Sequence, residues 1–248
     1  MTGTLAHIWR YPIKAHGYEA LKQVVLSTGK TIPWDREWAV AHEAAKTDGR
    51  EWVPCVNFSR GAKAPELMAI SATLDVVQET ITLTHPQRPA LRFSPDTEVA
   101  KFLDWVRPLM PENRAASSRI IRVRDNGMTD SDFPSISLNS LATNAEISQK
   151  AGCDLSPLRW RGNLWFDNLK PWEEFDWVGK RVRIGSVELD VRERIGRCLA
   201  TTANPDTGKR DADTLKILKD NWGHTQFGVY GVVLNDGQIN IGDKIEVL

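Results

Sequence analysis

The chain has 248 residues, and its 32 basic and 32 acidic side chains give a formal net charge of zero. That balance lacks the basic excess of nucleic-acid-binding proteins, so we expect no nucleic-acid partner. No apolar run has the length of a membrane helix, and the start lacks a signal-peptide pattern. The three cysteines lie far apart, which argues against a disulfide framework, a zinc site or an iron–sulfur cluster. We therefore expect a cytoplasmic protein without a membrane partner.

The first half of the chain predicts a strand pair and a helix. Residues 74–76 and 81–83 alternate apolar and polar side chains, which is typical of paired strands. Ser94-Pro95 is an N-cap followed by proline at the first helical position, and apolar residues follow at helical spacing up to Val106. We therefore expect a helix that begins after Ser94 and ends at Pro108.

The next elements are a helix and a hairpin. Ser137 is predicted to cap a helix that runs to about Lys150 and stops at Gly152. Residues 181–184 and 187–191 alternate in opposite phase on either side of Gly185-Ser186, which predicts a β-hairpin.

The C-terminal part repeats these patterns. A helix is predicted over 211–222, with Gly223 as its stop. Residues 232–234 and 239–241 flank a turn and predict a second hairpin, and a last strand is expected at 245–247. Many short strands with few helices indicate a mainly β protein of barrel or sandwich type.

Cys198 is the candidate for chemistry. It follows the hairpin, beside Arg197 and near Arg192 and Arg194. Nearby cations lower the pKa of a thiol, and the thiolate is the form that attacks electrophiles or binds a soft metal. A buried and inert cysteine is the open alternative. Cys55 and Cys153 lack such a context, and we interpret them as structural.

Two further segments carry candidate anion-binding residues. If residues 159–163 are extended, Arg159, Arg161 and Asn163 project to one face, where they would bind a phosphate or another anion. A solvated edge strand is the alternative. Near the start, Lys14 is either a phosphate contact or an ordinary surface lysine.

Several segments together resemble a known family. The run Arg197-Cys198 to Gly208, the helix with Thr214-Leu215-Lys216 and the run Phe227 to Asp243 resemble the MOSC domain, the molybdenum cofactor sulfurase C-terminal module. Two earlier segments, Tyr11-Pro-Ile-Lys14 and 35–40, resemble the β-barrel domain that precedes MOSC in the amidoxime-reducing-component group. Residues 159–164 and 175–179 resemble the cofactor-binding stretch of that group.

This resemblance covers essentially the whole chain and implies its architecture. It implies a MOSC N-terminal β-barrel-like domain at residues 1–115, a MOSC domain at 116–248, and a molybdenum cofactor in a cleft between these halves. Cys198 would be the catalytic residue and the sole protein ligand to molybdenum. The implied cofactor contacts are Lys14, Arg36, Arg159, Arg161, Asn163 and Arg197.

The chain departs from the group at two positions. Ala15 and Gly196 stand where the group often has serine, so two hydroxyl contacts would be lost. Pyridoxal phosphate is not expected, because no lysine has a recognisable Schiff-base setting.

The function implied is a molybdenum-dependent oxidoreductase that reduces small N-hydroxylated compounds such as amidoximes and hydroxylamines. The sequence has no flavin or nicotinamide fingerprint and too few cysteines for its own iron–sulfur cluster, so electrons would come from a separate ferredoxin or cytochrome-type protein. One alternative is a non-catalytic carrier of the cofactor or of sulfur. Another is a β protein that binds a partner or an unrelated anion, with Cys198 inert.

Overall fold

The computed structural model describes residues 3–47, 49, 51–124 and 126–248. Across them, the strands are β1 (Gly3–Arg10), β2 (Ile13–Lys14), β3 (Glu19–Leu21), β4 (Gln23–Leu26), β5 (Trp38–His42), β6 (Ser71–Asp75), β7 (Thr80–His85), β8 (Arg88–Phe93), β9 (Ser117–Arg122), β10 (Ile136–Ser140), β11 (Leu164–Asp167), β12 (Arg181–Ile184), β13 (Val187–Gly196), β14 (Gln226–Val233), β15 (Gly237–Asn240) and β16 (Lys244–Val247). The α-helices are α1 (Val99–Val106), α2 (Leu141–Ala151) and α3 (Thr214–Trp222). The predicted mainly β fold with a few short helices is confirmed. None of the helices in these ranges has the length and apolar character needed to cross a bilayer.

Seven strands close into a barrel. They pair in the order β11, β10, β14, β13, β12, β16 and β1, and β1 pairs again with β11. Closure leaves no unpaired edge within the ring. Apolar side chains such as Leu5, Val191 and Val229 fill the interior and are fully buried. The first strand of the chain therefore completes a barrel whose other strands come from residues 136–247.

The remaining strands form smaller sheets around a second apolar core. β2, β5 and β9 make one sheet, and β6, β7 and β8 make another. Phe102 on α1 stacks on Phe93 of β8, with 5.3 Å between ring centroids. β9 pairs with β5, and β4 pairs with β15, so strands pair across residue 115. The domain division at that residue stays a prediction.

Several local predictions are confirmed. β12 and β13 form the predicted hairpin, and β6 pairs with β7. Helices α2 and α3 stop at Gly152 and Gly223, whose φ values are 70° and 76°. Glycine tolerates this left-handed conformation because it has no Cβ.

The predicted hairpin at residues 232–241 is wrong, because β15 pairs with β4 instead of β14. The turn side chains explain the change of direction. Asn235 Oδ1 accepts a hydrogen bond from Glu188 N at 2.7 Å, and Asp236 Oδ1 accepts one from Thr28 N at 2.7 Å. These bonds tie the turn to two different strand ends and carry the chain over to β4.

Two predicted helix starts are also wrong. Ser137 lies in β10, and α2 is capped by Ser140, whose Oγ accepts from Thr143 N at 3.2 Å. Helix α1 begins at Val99 instead of after Ser94, because residues 95–97 form a turn first. Serine is a good cap residue in both cases, but α2 is capped by a later serine, and α1 starts only after the turn, behind Glu98, which makes no side-chain cap bond.

Candidate functional site

One cavity is lined by residues from the segments 14–68 and 129–230. It holds about 870 Å³ of empty space, counting the part open to solvent. All seven residues that the sequence resemblance singled out border it: Lys14, Arg36, Arg159, Arg161, Asn163, Arg197 and Cys198. Their role in binding a cofactor stays a prediction.

Cys198 lies two residues after the end of β13, immediately before a tight turn over residues 199–202. The carbonyl oxygen of Cys198 stabilises this turn, because it accepts hydrogen bonds from Thr201 N at 3.1 Å and from Thr201 Oγ1 at 3.0 Å. The residue is exposed to solvent and borders the cavity. Its position at the edge of the cavity is therefore fixed by the backbone.

The predicted lowering of the Cys198 pKa is wrong. Desolvation by burial raises this pKa above its ordinary value, and the charges of Asp130 and Cys55 add to the rise, while a hydrogen bond from the Ala200 backbone and the charge of Arg197 offset it only in part. The arginines near it in sequence are directed elsewhere, since Arg192 pairs with Asp190 and Arg194 lies over Phe175. A thiol in this setting becomes a thiolate when it binds a metal ion.

Arg197 is fixed at the cavity wall by uncharged acceptors. Its guanidinium donates to the carbonyl oxygens of Trp160 at 2.7 Å and Phe227 at 2.8 Å, and to Asn139 Oδ1 at 3.0 Å. Burial lowers its pKa to about 10. Gly228 permits this arrangement, because it has a φ of 72° and a Cβ there would stand 2.4 Å from Asn139 Oδ1.

Replacing Gly228 tests this support. We expect Gly228→Ala to lower the free energy of unfolding by about 3 kcal/mol, since a positive φ and overpacking each cost 1 kcal/mol or more. Gly223→Ala is the matched control, with φ of 76° and nothing within 4 Å of its Cβ position. It should lose only about 1 kcal/mol. Urea unfolding measures both, and equal losses would contradict the close approach at Asn139.

Lys14 is buried and bonded to the protein. Its Nζ donates to the carbonyl oxygens of Met128 and Thr129 and pairs with Asp130. Burial alone would raise the pKa of Asp130, but the charge and hydrogen bond of Lys14, together with the charges of Arg36 and Arg161, outweigh it and hold that pKa at about 2. Lys14 therefore neutralises an acid at the cavity wall, and the surface-lysine alternative is wrong.

Arg36 and Arg161 lie beside the ring of Tyr11, with their guanidinium carbons 4.8 and 4.3 Å from its centroid. Arg36 pairs with Asp35 and donates to the carbonyl oxygen of Arg161 at 2.9 Å. Arg161 donates to the Gly17 carbonyl at 3.2 Å, and no carboxylate oxygen of the described residues lies within 4.0 Å of it. Burial lowers its pKa to about 10, and the charge of Arg36 adds to that effect. An anion would stabilise both charges.

The backbone around this pair is strained. Ala15, Arg36 and Arg161 have φ values of 64°, 54° and 51°, and all three border the cavity. Non-glycine residues in the left-handed region cost roughly 1–2 kcal/mol each and cluster at functional sites. The strain supports a functional interpretation of this cavity.

Residues 159–163 are not extended, so that prediction is wrong. Residues 157–160 form a 3-10 turn, Arg161 is left-handed, and β11 begins only at Leu164. Arg159 is buried and pairs with Asp211 at 2.8 Å, while its Nε has no hydrogen-bond partner in the described structure. Arg159 and Arg161 nevertheless border one cavity, because the 3-10 turn and the left-handed conformation of Arg161 bring both residues to its wall.

The polar side-chain atoms of Asn163 form hydrogen bonds to two strands of the barrel. Its Oδ1 accepts from Ser137 Oγ at 2.9 Å, and its Nδ2 donates to the Trp9 carbonyl at 3.1 Å. It borders the cavity while joining β10 to β1.

Sequence reasoning missed several cavity residues. Cys55, interpreted as structural, borders the cavity and accepts from Arg60 Nη1 at 2.8 Å. Asp130 and Tyr230 also border it. Tyr230 lies in the run Phe227 to Asp243 that carries the family resemblance. The fold brings Cys55, Arg60 and Asp130 to the cavity, and no sequence motif singles them out.

Two family models together match most of the chain. Residues 2–106 match the MOSC N-terminal beta barrel domain, and residues 125–246 match the MOSC domain. Mitochondrial amidoxime-reducing component 1 of Mus musculus is 24% identical over 99% of this chain and 82% of its own length. The Homo sapiens protein of that name is 22% identical over 99% and 83%.

Other similarities are shorter or weaker. Molybdenum cofactor sulfurase 2 of Culex quinquefasciatus is 34% identical over 86 residues, which are 34% of this chain and 11% of that protein. The crystal structure of the YUAD protein from Bacillus subtilis covers the whole chain at 14% identity, with a TM-score of 0.48. The matched segments identify the chain: it carries a MOSC N-terminal beta barrel domain followed by a MOSC domain.

Proposed function

We propose that the cavity binds a molybdenum cofactor and that the protein reduces N-hydroxylated compounds such as amidoximes and hydroxylamines. One observation carries the proposal: the Cys198 thiol and the Arg36 and Arg161 guanidiniums border the same cavity. Thiolate suits a soft metal, and paired guanidiniums suit a phosphate. The similarity to amidoxime-reducing component 1 over 99% of the chain supports the substrate class.

The residues present fit such a cofactor. Arg159 Nε is a buried donor without an acceptor, and Arg161 and Arg197 have no carboxylate within 4.0 Å among the described residues. A buried donor left without an acceptor costs about 1–3 kcal/mol. A phosphate-bearing ligand would offset these costs.

Each group would have a distinct task. Cys198 would be the metal ligand, and the positive metal would keep it as thiolate in spite of its raised pKa. Arg36 and Arg161 would bind the phosphate. Arg159, Arg197, Lys14 and Asn163 would form the walls that orient the cofactor. When bound, the cofactor supplies two-electron redox chemistry at molybdenum.

Reduction of an N-hydroxy group to release water consumes two electrons and two protons. Asp130 stays ionised at neutral pH because its pKa is about 2, so it does not donate a proton. Burial raises the pKa of Tyr230, so its hydroxyl keeps its proton and takes part in hydrogen bonds only. The protons would therefore come from solvent, to which the cavity is open.

The electrons would come from a separate protein of ferredoxin or cytochrome type. The chain has three cysteines, all free, fewer than an iron–sulfur cluster with four thiolate ligands requires. Free thiols also favour a reducing compartment such as the cytoplasm.

The test is reduction of benzamidoxime under anaerobic conditions by protein from a host that makes the cofactor, with reduced viologen as donor. We expect two viologen radicals to be consumed per benzamidine formed. Protein from a host that lacks the cofactor is the control. If molybdenum-loaded protein leaves benzamidoxime untouched, the reductase proposal fails. Sulfur transfer from a Cys198 persulfide would then favour the carrier alternative.

A further inference from the structure

Arg60 is a half-buried arginine of the cavity wall that the proposed function leaves without a task. Its Nη1 donates to Cys55 Sγ at 2.8 Å. No carboxylate oxygen within the described ranges lies within 4.0 Å of its guanidinium. The Arg60 guanidinium therefore contacts a thiol and solvent, and no carboxylate of the described residues neutralises its charge.

The segment that carries Arg60 is fastened to the turn that follows Cys198. A Cβ on Gly61 would stand 3.5 Å from the Cβ of Ala200. Arg210 bridges the two segments, since its guanidinium donates to the carbonyl oxygens of Ala62 at 3.0 Å and Leu199 at 2.5 Å. Arg60 is thus held beside the backbone that positions the candidate metal ligand.

The surroundings of Arg60 differ from those of Arg36 and Arg161. That pair lies beside Tyr11, in strained backbone, and the proposed function assigns it to the cofactor phosphate. The cavity residues on the segment that carries Arg60 are small, Gly61 and Ala62, and the apolar Met68 packs against Gly61. A positive charge in a wall of small residues is the arrangement that recognises a carboxylate on a ligand with an apolar body.

We propose that Arg60 is a specificity-determining residue that binds the carboxylate of an anionic substrate whose reacting group faces Cys198. This inference rests on the proposed function for the identity of the reaction. It narrows the substrate class to N-hydroxylated compounds that also carry a carboxylate.

Competitive alkylation tests the anion site without any turnover. The protein as purified is labelled with an equimolar mixture of iodoacetate, which is anionic, and iodoacetamide, which is neutral. Peptide mass spectrometry gives the ratio of the two adducts at Cys55. Cys153 is an internal reference, because it is exposed and does not border the cavity. Any effect of Arg60 on the Cys55 thiolate cancels within the adduct ratio at Cys55, because both reagents attack the same thiolate. Dividing this ratio by the ratio at Cys153 then cancels the difference in reagent reactivity.

We expect the normalised ratio, the adduct ratio at Cys55 divided by that at Cys153, to be about ten, the effect of one charge-assisted hydrogen bond. Arg60→Gln should bring it close to one, and Arg60→Lys should keep part of the excess. Arg107→Gln is the control variant, because Arg107 is exposed and lies outside the cavity. An unchanged ratio in Arg60→Gln would overturn the inference.

A kinetic comparison separates this inference from the proposed function. The kcat/KM for 4-carboxybenzamidoxime relative to benzamidoxime should fall about tenfold in Arg60→Gln. Arg60-dependent alkylation without any reduction would refute the reductase and leave the anion site standing. If wild type and Arg60→Gln both reduced benzamidoxime and had the same ratio of kcat/KM values for the two substrates, the role of Arg60 would be refuted and the reductase proposal would stand.

Discussion

Replacing Cys198 by serine is expected to lower the rate of benzamidoxime reduction more than about a hundredfold, because even residues that only orient a metal ligand typically contribute 10- to 100-fold. Serine is a harder ligand than thiolate and does not ionise at neutral pH. The residue is exposed and does not belong to the apolar core, so we expect the barrel to stay folded. The measurement is the steady-state rate with reduced viologen, beside a circular dichroism spectrum.

The matched control is Cys153→Ser, at an exposed position outside the cavity. It should keep the wild-type rate. If Cys198→Ser also kept the wild-type rate, the thiol would not be the metal ligand, and Cys198 would return to the inert interpretation.

A second large effect is expected at Glu174, which is fully buried next to α2. Its Oε2 accepts from Thr143 Oγ1 at 2.8 Å, and its Oε1 has no partner in the described structure. Burial raises its pKa from 4.5 to about 7. The folded protein therefore keeps a proton that the unfolded chain loses, and this contribution to stability is complete below pH 4.5 and is lost as pH rises through 7.

Glu174→Gln removes this dependence, because glutamine is neutral at every pH. We expect the free energy of unfolding of the variant, relative to wild type, to increase by about 3 kcal/mol between pH 4.5 and pH 8. Urea unfolding over that range measures the difference. Glu112→Gln, at an exposed position, is the control. A difference for Glu174→Gln that stayed constant with pH would contradict a protonated carboxyl in the folded state.

Local signals predicted the parts of the fold that local residues decide. The hairpin of β12 and β13 follows from alternation and from the turn at Gly185-Ser186, all within eleven residues. The pairing of β4 with β15 joins residues about 210 positions apart and depends on where Asn235 and Asp236 find their donors. β10 alternates apolar and polar residues over only five positions and runs directly into α2, so the sequence favours Ser137 as the cap of that helix, and burial of all five positions follows from the fold alone.

The candidate site shows the same limit. Family motifs singled out seven residues, and all of them border one cavity. The chemistry of Cys198 was misjudged because sequence proximity does not give side-chain direction: Arg194 lies over Phe175, and Arg197 donates to backbone carbonyls. Arg60 had no signal of its own, since only the fold brings its segment against the turn after Cys198.

The central claim is that this cavity holds a molybdenum cofactor through Cys198. The most direct test is molybdenum per chain, measured by elemental mass spectrometry on wild type and Cys198→Ser from a host that makes the cofactor. We predict close to one molybdenum per wild-type chain, and in the variant either loss of the metal or loss of thiolate-to-metal charge-transfer absorption. Absence of molybdenum from the wild-type protein, while a control molybdoenzyme from the same host is fully loaded, would contradict the account.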